Sequence, residues 1–461
     1  MKRIALLLLA SVSLVAAPRA AASTRPRYGG MLRVETSARV VSLDPSSPPV
    51  SPAARSLREK IFFLIADRLV RLDSRGRLLP QLSTSWRSAA NARSWTFALR
   101  DGVHFSDGVP LVAGQVVAAL SARHPDWRIT AQAAAVRIVL PRSEPDLPLR
   151  LAQAENSILR SGPGGVPLGT GPFRVAQFTP SRIVLAANAN GWRGRPFLDS
   201  VEILLNRPLR EQWIDLELGR ADLVEIEPSG VRRAIESNVR LWSSQPDELI
   251  AIVFQNSSAV ARNFALRQAL AASVNRTALR DVLLQKQGQV AVSLLPDWLS
   301  GYAFLFTPAS LAARPTGAPG LPPFLLAYDS SDPLLSSLAG RIAVDARAVG
   351  LRLNLAPQAP GAFSRADARL MRARIASVDR RVAFDRLLDS LGGAAPVKLP
   401  PSDSPDALYA AEQAVVSSDW VIPLVDLPEI YGLGKRVENW DPPAVSLAGG
   451  WNLQNVWKEP K

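Results

Sequence analysis

Residues 94–111, SWTFALRDGVHFSDGVPL, hold two Asp-Gly pairs, Asp101-Gly102 and Asp107-Gly108, behind an alternating apolar run. Trp95, Phe97 and Leu99 fall on one face, and Thr96, Ala98 and Arg100 on the other. That is the period of a half-buried strand. Asp-Gly supplies the positive φ of a tight turn, so the stretch predicts a hairpin that Val103 and Phe105 continue. The second Asp-Gly ends it. Pro110 then stands near the start of a helical pattern, VPLVAGQVVAALSA.

Upstream, Met31-Leu32-Arg33-Val34 reads as a first strand after a Gly pair, and Leu43-Asp44-Pro45 as a turn. REKIFFLIADRLV begins a helix. Downstream, residues 141–172 are rich in Pro and Gly and predict a crossing between domains. ELIAIVFQNSS reads as a buried strand. PFLLAYDSS, DPLLSSLAGRIAVDARAVG and LRLNLAP read as strand, helix and strand, with the helix stopping at Gly350. This unit is the mark of an α/β domain.

Composition narrows the chemistry. The chain of 461 residues has no Cys, which excludes disulfides, Cys-ligated zinc, a Cys nucleophile and a lipid-modified Cys anchor. It has two His, His104 and His124, too few for a multi-His metal site. The net charge of +14 comes from scattered Arg mixed with acids, with no basic run interleaved with aromatics. Surface charge explains that pattern better than a nucleic-acid partner. Residues 1–22 have a basic start, an apolar core from Ile4 to Ala17 and small residues at the end. This layout predicts a cleaved secretory signal peptide and a protein outside the cytoplasm.

Catalytic signatures are missing. SGPGGVPLGTG fits no phosphate-binding loop, and no GxSxG elbow occurs. The acidic pairs Glu225/Glu227 and Asp215/Glu217 are better explained as ordinary surface carboxylates than as acid–base pairs. Binding is the expectation, with no catalytic residue, metal or cofactor.

Taken in order, the segments resemble the family 5 extracellular solute-binding proteins, the dipeptide, oligopeptide and nickel-chelate binding components of ABC importers. The strongest match is the pattern Trp-x-Phe-x-Leu-Arg-x-Gly-Val-x-Phe-x-Asp-Gly-x-Pro. Trp95, Phe97, Leu99, Arg100, Gly102, Val103, Phe105, Asp107, Gly108 and Pro110 satisfy it. Leu79-Pro80-Gln81-Leu82, GTGPFRV, NGWRGRPFLDSVEI and LRQALAASVNRTAL are similar to other family segments.

The resemblance implies an α/β, periplasmic-binding-protein-like two-lobe fold (class II, large type) with an extra inserted domain. Domain I would comprise 23–48, 165–255 and 436–461, the inserted domain II 49–164, and domain III 256–435. It also implies a periplasmic monomer. That monomer would enclose a small-molecule or short-peptide ligand by hinge closure and deliver it to an inner-membrane ABC permease.

Two alternatives stay open on sequence: a secreted hydrolase reusing the scaffold, and a degenerate member acting as sensor or chaperone. Peptide-binding members carry a Gly-Trp…Asp element after a late strand; here Arg365, Arg369, Arg372 and Arg374 stand in that region, with Asp367. A cleft lined by Arg369 and Arg372 would prefer an anion, whereas a solvated helical face would prefer nothing. Asn256 and Ser257 at the hinge-strand end, and Trp298 and Tyr302 after the SLLP loop, complete the expected ligand contacts.

Overall fold

The computed structural model describes residues 25–73, 76–306, 320–359, 366–392, 404–445 and 450–460. The signal-peptide reading lies outside them. No described helix is long and apolar enough to cross a membrane.

The opening stretch folds differently from a simple hairpin. Ser94–Leu99 is a strand with Trp95 and Phe97 buried, but its partners are Ser83–Ser88 and Ala135–Val139. The turn at Asp101-Gly102 (Gly102 φ +72°) leads the chain out of the sheet. The tight fold-back comes at Asp107-Gly108, where Phe105 N donates to Val109 O and His104 bridges Pro110. Val103 and Phe105 are buried because they fill the core under this sheet, not because they extend the strand. Arg128–Gln132 completes the four-stranded sheet, and the helix Ala113–Ser121 packs on it through Val116 and Leu120.

A second sheet of eleven strands runs through the rest of the molecule. At one end, Met31–Glu35 lies parallel to Ser200–Leu204 and Leu223–Glu225. Leu32, Val34, Val201 and Ile203 pack there against Leu57, Ile61 and Ile65 of the helix Pro52–Ile65. Ser51 caps that helix by accepting from Ala54 N. At the other end, Phe324–Asp329 lies parallel to Leu353–Gln358 and Ala368–Arg374. The helix Pro333–Ala348 covers it with Leu335, Leu338 and Ile342, capped by Asp332.

Two long antiparallel strands, Arg240–Phe254 and Val421–Leu433, belong to both ends. They tie the two cores into one sheet. Midway, Pro246 stands opposite Pro428, with register shifts on either side. Neither proline has an N–H, so the ladder is open at that point.

One buried carboxylate gathers several of the sequence motifs. Asp67, 3% exposed, accepts hydrogen bonds from Gln81 Nε2, Thr170 Oγ1 (2.9 Å), Trp192 Nε1 (2.8 Å) and Arg193 Nη2 (3.1 Å). Thr170 comes from the GTGPF segment, whose glycines press on the end of the helix Pro52–Ile65. A Cβ on Gly171 would lie 2.5 Å from the Ile65 carbonyl carbon, a backbone atom with no room to give. Gly171→Ala should therefore destabilise the protein by about 3 kcal/mol. Gly340→Ala is the control: its Cβ enters open space within a helix, and it should stabilise by roughly 0.5–1 kcal/mol. Equal urea midpoints for the two variants would refute the steric argument.

Candidate ligand-binding site

Two cavities lie beside the open point between the prolines. The larger, of about 1070 Å³, is bounded by Leu72, Arg142, Glu144 and Arg150 near the four-stranded sheet, by Trp298, Val378–Val382, Ser404 and Leu408 of the far lobe, and by Gln245 of a crossing strand. Two helices, Arg380–Ser390 and Pro405–Ser417, begin at its wall, but Asp379 and Ser404 already cap them. Trp298 donates its indole N–H to Pro246 O at 2.7 Å, which holds its ring beside the crossing. The charges are balanced: Arg142, Arg150, Arg380 and Arg381 against Asp73, Glu144, Asp146 and Asp379.

The smaller cavity, of about 490 Å³, sits on the crossing itself. Ser37, Ser51 and Glu225 come from the first lobe, and Asp329, Asp332 and Arg372 from the second. Asp247, Glu248 and Leu427–Tyr431 come from the crossing strands. Arg372 forks onto Glu248 (2.6 and 2.8 Å), reaches Asp332 at 3.3 Å and lies 3.5 Å from Glu227. Arg374 joins Asp247 (3.1 Å) to Glu429, and Lys60 approaches the same Glu429 at 2.6 Å. A chain of charges thus links the first lobe's helix to the second lobe's strand.

These neighbours shift the ionisation of each group. Burial raises Glu248, but Arg372 and Arg374 more than offset it and hold the carboxyl below its ordinary value. Asp247 and Glu227 remain raised, because burial outweighs their guanidinium neighbours. Burial and nearby Arg374 push the Lys60 ammonium down to about 7. Beside the crossing, Arg386 pairs with Glu155, and Glu59 lines the same crevice. Burial pushes Glu59 up to about 7.

The model for bacterial extracellular solute-binding proteins, family 5 middle, matches residues 77–370. The chain belongs to this family. Family 5 is one of solute-binding proteins. The nickel-binding periplasmic protein of Escherichia coli is 25% identical over 268 residues, covering 50% of each chain. The nickel-binding protein NikA of Staphylococcus aureus is 23% identical over 273 residues, or 56% of this chain and 55% of that one. The chain spans about half the length of these curated relatives.

Among solved structures, NikA from Brucella suis in complex with Fe(III)-EDTA aligns with a TM-score of 0.74 at 18% identity, over 93% of this chain and 100% of that one. DppA from Helicobacter pylori in complex with peptide STSA aligns with 0.74 at 17%, over 94% and 99%. These likenesses establish the periplasmic-binding-protein-like α/β fold.

Within that family 5 frame, the residues expected at the ligand separate. Trp298 lines the large cavity and Arg372 the small one. Asn256 and Ser257 are exposed in the turn after the crossing strand and line none of these cavities. Tyr302 is buried in the far lobe: its hydroxyl donates to Glu412 at 2.8 Å, and it packs on Phe306 and Tyr409. Asp367 accepts from Ser258 Oγ and from Leu325 N, and Arg369 donates to Gln255 Oε1 at 2.8 Å. Tyr302, Asp367 and Arg369 thus make their contacts within the far lobe.

The Arg-rich segment is not a solvated helical face, and Arg372 and Arg374 line a cavity rich in carboxylates. Arg369, Arg372 and Arg374 lie on the strand Ala368–Arg374, and the latter two meet carboxylates. Arg365 lies outside the described residues. The acids that fill the site, Asp247, Glu248 and Asp332, gave no signal as isolated letters. Glu225/Glu227 was the one visible hint. Both His have local partners: His104 Nδ1 lies 3.0 Å from Gly102 O, and His124 Nε2 lies 2.7 Å from Asn156 Oδ1.

Proposed function

We propose that the protein is the non-catalytic substrate-binding component of an ABC importer. It works as a monomer in the periplasm after loss of its signal peptide, and hands its solute to an inner-membrane permease. The observation that carries this reading is the placement of the cavities. Their walls come from both ends of the structure and meet where two strands cross through an open ladder. A solute touching both walls favours the arrangement in which they approach, and a permease can read that arrangement. Family membership supports the same conclusion, as does the naming of relatives for nickel and for peptide transport.

Domain I, in this reading, is the lobe around Leu32 and Ile203, domain III the lobe around Leu326 and Leu338, and domain II the four-stranded unit around Phe97. Trp298 and Arg372 are the contacts we assign to ligand recognition. The test is thermal denaturation of the purified protein against pools of peptides, amino-acid metal chelates, oligosaccharides, organic anions and organic cations. A ligand at 100 times its Kd should add about 2.7 kcal/mol of stability. If every pool leaves the melting point unmoved across pH, the importer reading fails.

A further inference from the structure

The crossing cavity has a charge excess that its own side chains do not cancel. Seven carboxylates and two guanidinium groups line it. Most of the carboxylates have internal partners. Glu248 and Asp332 hold Arg372, Glu429 holds Lys60 and Arg374, and Glu225 accepts from Thr36 and Ser37.

Two oxygens stand apart. Asp247, 1% exposed, uses Oδ2 for Arg374, while its Oδ1 has no hydrogen-bond partner among the described residues. Glu227 Oε2 is in the same condition, on the same cavity. A buried carboxylate oxygen without a donor is costly, and a donor brought by a ligand removes that cost.

We propose that this cavity takes an organic cation, an aliphatic ammonium or guanidinium compound, whose N–H groups meet Asp247 Oδ1 and Glu227 Oε2. The inference rests on the solute-binding reading above and names its substrate class. An organic donor fits better than a metal ion, because no group of three or more His, Cys, Asp or Glu among the described residues is placed to hold one. The volume of about 490 Å³ suits a molecule of amino-acid to dipeptide size. Leu335, Leu370 and Met371 on the same wall offer an apolar track for its carbon chain.

The experiment titrates the full protein with agmatine and with spermidine, by calorimetry and thermal shift, in about 0.15 M salt to screen loose surface attraction. Citrate and neutral oligosaccharides run alongside. Saturable binding of a cationic probe is expected. Asp247→Asn and Glu227→Gln should each weaken it about tenfold or more. Glu227 is half-buried, so its variant keeps the test valid should Asp247→Asn fold poorly.

Asp101→Asn, an exposed turn carboxylate that lines neither cavity, should leave affinity unchanged; a loss there shows binding by diffuse surface charge and overturns the proposal. Binding of anions or neutral solutes with no cation binding overturns this proposal but leaves the importer reading standing. Failure of every solute removes both.

Discussion

Asp67→Ala should cost roughly 3–5 kcal/mol, the range for removing one partner from a buried charged cluster. The substitution strands Gln81, Thr170, Trp192 and Arg193 around an empty site. Each buried donor left without an acceptor adds its own penalty. The four donors come from three segments, at Gln81, Thr170 and Trp192-Arg193, so the loss should be felt where the four-stranded unit joins the large sheet. Chemical denaturation checks this through the unfolding midpoint. Asp67→Asn separates charge from acceptor: it keeps one oxygen for two of the donors and should recover part of the loss. A midpoint within about 0.5 kcal/mol of the parent, as for an ordinary surface change, would show that the node contributes little.

Stability should also fall as pH rises from about 4.5 to about 7, with Glu412 responsible for a large share. Glu412 is fully buried and accepts from Leu294 N, Leu295 N and the Tyr302 hydroxyl. Burial pushes its carboxyl up to about 7 from the ordinary 4.5, against those hydrogen bonds. Between the two values the folded state keeps a proton that the unfolded chain has released, so the folded state binds more protons and loses stability as pH rises. At about 1.4 kcal/mol per pH unit, the contribution approaches about 3 kcal/mol.

Glu412→Gln removes the titration while keeping a carbonyl oxygen for the backbone donors. Its stability should vary less with pH across that window and should match or exceed the parent near pH 8. Glu59, raised by burial to about 7, and Asp426, raised by burial and by Glu412, keep part of the slope. Superimposable pH profiles for parent and variant would refute the assignment.

The sequence disclosed the elements with strong local patterns. The strand at Met31, the capped helix before Gly350 and the burial of Trp95 and Phe97 all follow from periodicity and turn residues. It misjudged what followed Asp101-Gly102, because a turn residue fixes the reversal and not the strand that receives it. The crossing strands were only half legible. ELIAIVF announces itself by apolarity, whereas RLWSSQPD does not, being polar and broken by Pro246.

The strand Ala368–Arg374 was disguised for an electrostatic reason. Arg372 and Arg374 look solvent-bound in one dimension, yet their hydrogen-bonded carboxylates arrive from positions 40 to 127 residues away. The candidate site shares that character. Asp247, Glu248 and Asp332 carry no motif, and only the fold assembles them.

The opposed prolines have a mechanical consequence. On either side of Pro246 and Pro428 the paired strands are stiff, because bending them would break ladder hydrogen bonds. At the prolines there are no amide donors to lose, so the ladder resists bending less there. If the lobes close on a solute as proposed, the two ends of the sheet would turn as plates about this softer joint. The stiffness that remains comes from side-chain struts across the joint, Lys60 to Glu429 to Arg374 on one flank and Glu155 to Arg386 on the other. Anything that tightens or loosens those struts is converted into an angle between the plates, without either plate having to deform.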